Sequence, residues 1–239
     1  MSRRSISVPT TSSARFPCDF CHHAFSQERF LLDHVCERKR RFLQRDDPTV
    51  KYALEIYQRW YARSMARRRN PPSIDSFENS KLYSAFVAFA RFLRDLNPSN
   101  PLDFVDFLAK METPLSKWRN LAYYGTYIRE RNKNEGPRAA IERNIVLMQE
   151  WANDADLDMA EFFRQVSPAR ATQWIISGRI SPWLLFAATR AGDLTARLSE
   201  EQTSMVADAI SADYWERMVI RHRTEVDDLR AMLMREYNI

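Results

Sequence analysis

The side chains best suited to chemistry in this chain are Cys18, Cys21, His34 and Cys36, gathered in one short N-terminal segment. The 239-residue chain has three cysteines, and all of them lie there. An odd number of cysteines confined to one segment makes a poor disulfide framework and a good metal cluster. Two cysteines three positions apart lie on a knuckle that aims both thiolates at one ion. Thiolate and imidazole are the ligand types that select zinc, and four of them close a tetrahedron, so the expected cofactor is one structural Zn2+. A closed site leaves no open position for a reactive water. Three of the four histidines, at 22, 23 and 34, belong to this segment, and the fourth is His222. The carboxylates Asp154, Asp156, Asp158 and Glu161 lack the glycine and terminal Glu of a calcium loop. They fit a helix start, where acids favour the dipole. The chain is therefore not expected to be an enzyme.

The ligands need a small scaffold. Phe16, Cys18, Cys21, Phe25, Leu31 and His34 stand at the spacing Phe-x-Cys-x2-Cys-x3-Phe-x5-Leu-x2-His. This resembles the Cys2His2 zinc-finger pattern through its first three ligands and all its core positions. The resemblance implies a ββα-like module, with Phe16, Phe25 and Leu31 beneath the metal and His34 on a helix that starts near Ser26. The departure is the fourth ligand. The pattern places it three to five residues after the first histidine, whereas Cys36 is two away. On an ideal helix, positions i and i+2 point about 200° apart, so Cys36 ligates only if the helix loosens after His34. The set is read as Cys18, Cys21, His34 and Cys36, with His22 or His23 as the alternative to Cys36.

Residues 1–70 hold 15 Lys/Arg against 7 Asp/Glu, while residues 71–239 hold 21 against 24. The basic excess belongs to the N-terminal portion and suggests a polyanion partner there. Arg38, Lys39, Arg40, Arg41 and Arg45 are expected to extend the finger's helix, and Arg63, Arg67, Arg68 and Arg69 to close the next. Basic residues interleaved with Phe42, Tyr57, Trp60 and Tyr61 suit phosphate contacts and stacking on unpaired bases. For Tyr57 and Trp60, packing between the helices is the favoured reading.

The fold class expected is all-α, a multi-helix body carrying the small module. Only four glycines against eleven prolines argue against hairpins and nucleotide-binding glycine loops. Residues 1–14 read as a disordered basic tail, 15–45 as the module, 46–72 as a basic connecting helix opened by Asp46-Asp47-Pro48, and 73–239 as the helical domain. Asn70-Pro71-Pro72 is the clearest boundary. Apolar stripes predict helices over 82–96, 102–108 and 115–128, then 138–152, 158–166, 168–177, 182–191, 199–210 and 213–235. Ser167-Pro168 and Ser181-Pro182 are cap-plus-proline starts. Trp174, Trp183 and Trp215 read as core. No apolar run is long enough to cross a bilayer and the N-terminus lacks an apolar signal core, so the expected location is cytoplasmic, with no membrane partner.

Over residues 80–220 the order of segments carries a second resemblance. KLYSAFVAFARFL, PLDFVDFLAKMETPLSKW, LAYYGTYI, FFRQVSP, WIISGRISPWLLFAA and YWERMVIRH follow one another as in the helicase-loading protein of T-even bacteriophages and its relatives in other large tailed phages. The module plus body, including CERKRRF and GRISPW, also looks like proteins of T-even-like phages of cyanobacteria. The T-even resemblance implies an all-helical protein that acts in the host cytoplasm. It further implies binding to single-stranded or forked DNA, the phage single-strand-binding protein and the replicative helicase. A second reading is a transcription accessory protein that docks on RNA polymerase through its zinc module.

Overall fold

The computed structural model describes residues 15–64 and 70–239. The expected tail at 1–14 and the run Arg67-Arg68-Arg69 lie outside the described residues. Among the described residues there are fifteen α-helices and one two-stranded sheet. The sheet is β1 (Phe16–Pro17) paired antiparallel with β2 (Ala24–Phe25), Phe16 opposite Phe25. The helices α1 (Glu28–Leu32) and α2 (Glu37–Leu43) complete the module. The all-α fold with a small N-terminal Cys/His module is as the sequence predicts.

A first group of helices follows: α3 (Pro48–Ser64), α4 (Ile74–Glu78), α5 (Tyr83–Leu96), α6 (Pro101–Lys110) and α7 (Leu121–Asn134). Their starts carry local chemistry. The Asp47 carboxylate accepts the Thr49 N–H at 2.6 Å ahead of α3, and the Asn100 side chain accepts the Asp103 N–H beside Pro101 at the head of α6. Asn97 ends α5 in the left-handed region, a conformation asparagine tolerates. Ile56, Phe77, Phe86, Phe89, Phe104, Leu108, Trp118 and Tyr124 form a closed core at 0–1% exposure. The segment expected as a connecting helix is part of this group, because Val50, Ala53, Ile56 and Tyr57 of α3 are buried in it. Tyr57 and Trp60 pack against Phe86. The stripe expected as one helix over 115–128 is broken into a 3-10 turn at Leu115–Lys117 and α7, with the Trp118 indole donating to the Thr113 carbonyl.

A second group has its own core: α8 (Pro137–Ala155), α9 (Phe162–Gln165), α10 (Pro168–Ile176), α11 (Pro182–Ala187), α12 (Ala191–Thr195), α13 (Glu200–Val206), α14 (Ala212–Arg221) and α15 (Arg223–Met232). Ser167 and Ser181 cap α10 and α11 beside Pro168 and Pro182, as read from the sequence. Trp174, Trp183 and Trp215 are all in the core. The last helix expected, 213–235, breaks at His222 into α14 and α15, both of which pack on α11.

The two cores meet along a seam. Tyr124 donates its hydroxyl to the Ser177 carbonyl at 2.6 Å, and Trp183 donates its indole N–H to the Glu135 carbonyl at 2.9 Å. At Gly178 the backbone takes φ 70°, and a Cβ there would stand 2.7 Å from Ile128 Cδ1, so glycine is the residue this approach accepts. No helix among the described residues is long and apolar enough to cross a membrane.

Candidate metal centre and basic surface

The knuckle closes through two backbone bonds, His22 N–H to the Cys18 carbonyl at 2.8 Å and Cys18 N–H to the His23 carbonyl at 2.9 Å. His22 takes φ 61° there, which turns its side chain outward. Helix α1 is shorter and starts later than expected, from Glu28 after an uncapped Gln27. It presents Leu31 beside the knuckle and ends at Leu32, so that His34 lies just beyond it.

The ligand atoms of Cys18, Cys21, His34 and Cys36 all lie within 4.8 Å of one another, the one such group of His, Cys, Asp or Glu among the described residues. Cys18 Sγ is 3.9 Å from Cys36 Sγ, and Cys21 Sγ is 3.3 Å from His34 Nε2. Metal–sulfur bonds near 2.3 Å and metal–nitrogen bonds near 2.0 Å on a tetrahedron require edges of about 3.8 Å and about 3.6 Å. The spacing thus fits a metal ion held by three sulfurs and one nitrogen. His22 and His23 are not in the group. His23 instead packs its ring edge-on to Phe25.

Cys36 reaches the site because the chain is not helical there. It sits in extended backbone at φ −75°, ψ 164°, two residues after His34, and its sulfur accepts the Lys39 N–H at 3.4 Å as the N-cap of α2. The expectation that the finger's helix runs on through the arginines is therefore corrected: α2 is a new helix. The break that brings Cys36 back to its partners also sets the direction of α2, and Lys39 Nζ donates to the His34 carbonyl. Hydrogen bonds and charge split the first two thiols. Cys18 is held below its ordinary pKa, chiefly by the Cys21 N–H. At Cys21 the His23 N–H also lowers the pKa, but burial and the neighbouring thiols outweigh it and the net direction is upward.

Comparison with protein-family models, curated proteins and solved structures finds no match to this chain.

The nominated cations divide into two sets. Arg38 and Arg40 are exposed on α2, and among the described residues the Arg38 side chain bonds only the Phe20 carbonyl. Arg41 and Arg45, by contrast, fasten the module to the body. Arg41 donates to the Glu78 carbonyl at 2.7 Å and the Ser80 carbonyl at 3.1 Å, pairs with Glu37, and lies over the Tyr83 ring. Arg45 donates to both oxygens of Glu78 and to Asp75, and covers the Phe42 ring at 4.1 Å. Arg63 joins Arg59 on Asp106, whose carboxyl burial would raise but which the two guanidiniums hold below its usual range. Sequence reasoning missed Glu78, Asp75 and Asp106, since partners 30 or more residues away in the chain leave no local spacing to read.

The Glu78 side chain is only 9% exposed, so removing it strands Arg45 with one exposed partner. Glu78→Ala is expected to cost about 1.5–3 kcal/mol, the range for hydrogen bonds to charged groups. Hydrogen exchange should then quicken in α2 and α4 but not in α8. Unchanged exchange in α2 would show that these contacts do not hold the module.

Proposed function

We propose that this protein is a nucleic-acid-binding accessory factor in which one structural zinc ion fixes a basic helix, α2, against a helical body. The donor set supports zinc over harder or redox-active metals, because three thiolates and an imidazole suit a soft, tetrahedral ion. The observation that carries the polyanion reading is a run of three consecutive cations, Arg38, Lys39 and Arg40, on α2, with both arginines exposed. Several arginines of the body, by contrast, are occupied internally: Arg143 pairs with Glu135 and bonds the Gly178 and Arg179 carbonyls, Arg197 bonds the Phe163, Arg164 and Val166 carbonyls, and Arg230 bonds those of Phe186 and Ala187. On α2, Arg38 and Arg40 are exposed with Lys39 between them, and Arg38 uses one N–H on the Phe20 carbonyl. Such cations suit phosphates, whose neutralisation releases counterions.

Within that class, the resemblance to T-even-like helicase-loading proteins points to single-stranded or forked DNA, with a replicative helicase and a single-strand-binding protein as partners. The test is binding of forked and single-stranded DNA as a function of salt. Changing Arg38, Lys39 and Arg40 together to Ala is expected to weaken binding evenly across sequences and to reduce the log–log salt slope by roughly 2. A triple variant that binds as the parent does sinks the assignment to α2.

One observation favours a second reading, docking of the module on a protein such as RNA polymerase. Phe30, Leu32, Val35 and Leu43 are exposed by 45%, 70%, 63% and 66%. Binding to polymerase with no affinity for polynucleotides would select that reading.

A further inference from the structure

Between the module and the first group of helices lies a cleft of about 340 Å3, of the size of small-ligand sites. Its walls come from three elements. The knuckle contributes Asp19 and Phe20, α2 contributes Arg38 and Phe42, and α4 contributes Asp75, with Arg45 across the mouth. Three planar groups cluster here, with the Phe20 and Phe42 rings tilted by 51° to each other. The rings of Phe20 and Phe42 lie 5.2 Å apart, and the Arg45 guanidinium lies over Phe42 while Glu78 and Asp75 hold it in place. A guanidinium fixed by carboxylates, the exposed Phe42 ring and the half-buried Phe20 ring are surfaces on which unpaired bases stack. The Asp19 carboxylate is exposed in the same cleft and has no hydrogen bond or ion pair to a side chain among the described residues.

We propose that this cleft receives one unpaired nucleobase of a single-stranded polynucleotide, packed against the Phe20 and Phe42 rings and the Arg45 guanidinium, with Asp19 accepting a hydrogen bond from an exocyclic amino group. The proposal rests on the polynucleotide reading above and adds to it the part of the ligand that enters the protein. Phosphates on either side of the base would lie against the exposed face of α2, where Arg38 and Arg40 stand. A carboxylate accepts from the exocyclic amino groups of cytosine, adenine and guanine, whereas the one donor on thymine's open edge, N3–H, is flanked by two carbonyl oxygens that oppose a carboxylate. The cleft therefore prefers amino-bearing bases. An anionic ligand does not suit it, because three carboxylates, Asp19, Asp75 and Glu78, line it against two arginines.

The test is the affinity of the full chain, metal-loaded, for labelled oligo-dC and oligo-dT at one low salt concentration. The parent is expected to bind oligo-dC more tightly. Phe42→Leu, which keeps an apolar side chain but no ring, should weaken both by roughly 5- to 100-fold. Asp19→Asn should narrow the gap between the two oligonucleotides and leave oligo-dT binding nearly unchanged. Metal content and helical circular dichroism equal to the parent's establish that each variant is folded, and should Phe42→Leu fail that check, Asp19→Asn alone decides. If both variants bind both oligonucleotides as the parent does, while the Arg38/Lys39/Arg40 variant has lost binding, the cleft is not a base site and the polynucleotide reading stands. If the parent binds neither oligonucleotide, both proposals fall.

Discussion

Cys18→Ser is expected to abolish stoichiometric metal binding and to unfold the N-terminal module while the helical body stays folded. Cys18 is 2% exposed, and its sulfur faces Cys36. The module has little else to hold it. Its sheet has two residues per strand, α1 has five residues and buries none, and Phe16, Phe25 and Leu31 are only half-buried. A structural zinc ion supplies about 10–16 kcal/mol of apparent folding free energy in finger peptides, far more than three half-buried side chains can supply at about 25 cal/mol per Å2. Elemental analysis should find about one ion per parent chain and well under one in the variant. Amides from Phe16 to Lys39 should lose protection from exchange, because α2 loses its cap and its fixed entry together. Amides of α5 and α8 should keep theirs, since neither core includes a module residue. A Cys18→Ser protein that still holds one ion and protects its knuckle contradicts the ligand assignment.

Phe104→Ala is expected to be the most damaging change within the body. Its side chain is fully buried on α6, with ring centroids 5.0–6.4 Å from those of Tyr124, Tyr127, Phe89 and Phe107. Truncation removes these contacts and leaves a cavity that rigid neighbouring helices cannot close, a loss of about 3–5 kcal/mol. In a chain of this length the melting temperature should fall on the order of 10 °C. The effect should reach beyond the first core, because Tyr124, packed edge-on against Phe104, carries the hydroxyl that bonds Ser177 across the seam. Exchange in α10 should therefore quicken as well. Ile220→Ala, at a side chain 72% exposed, is the matched control and should move stability by no more than about 0.5 kcal/mol. Equal melting temperatures for the two variants would show that this aromatic cluster does not hold the body together.

The metal ligands were legible because their chemistry is local: cysteines and a histidine at short spacing can be read without knowing the fold. The helix starts at Pro168 and Pro182 were legible for the same reason, since a serine cap and a first-turn proline act within a few residues. Cys36 was readable only as a condition, that the helix must loosen after His34, and the backbone at Cys36 meets it. What the sequence hid was tertiary. Arg41 and Arg45 look like Arg38 and Arg40 along the chain, yet they face Glu78, Ser80 and Tyr83, and only the docking of α2 on α4 distinguishes them. The apolar stripe over 213–235 continues through His222 and gives no sign of a break, whereas in the fold the His222 ring packs edge-on to Trp183 of α11 where the helix divides. The division of the body into two cores was equally silent, as amphipathic helices that bury aromatic side chains stand on both sides of Gly136.

The binding of forked DNA by metal-loaded and metal-stripped protein, measured across a salt series, tests most directly whether a metal-anchored basic helix holds the polynucleotide. The expected result is tight, steeply salt-dependent binding by the loaded protein, lost on chelation and restored by Zn2+. Equal binding by the stripped protein, with the same salt slope, would contradict it.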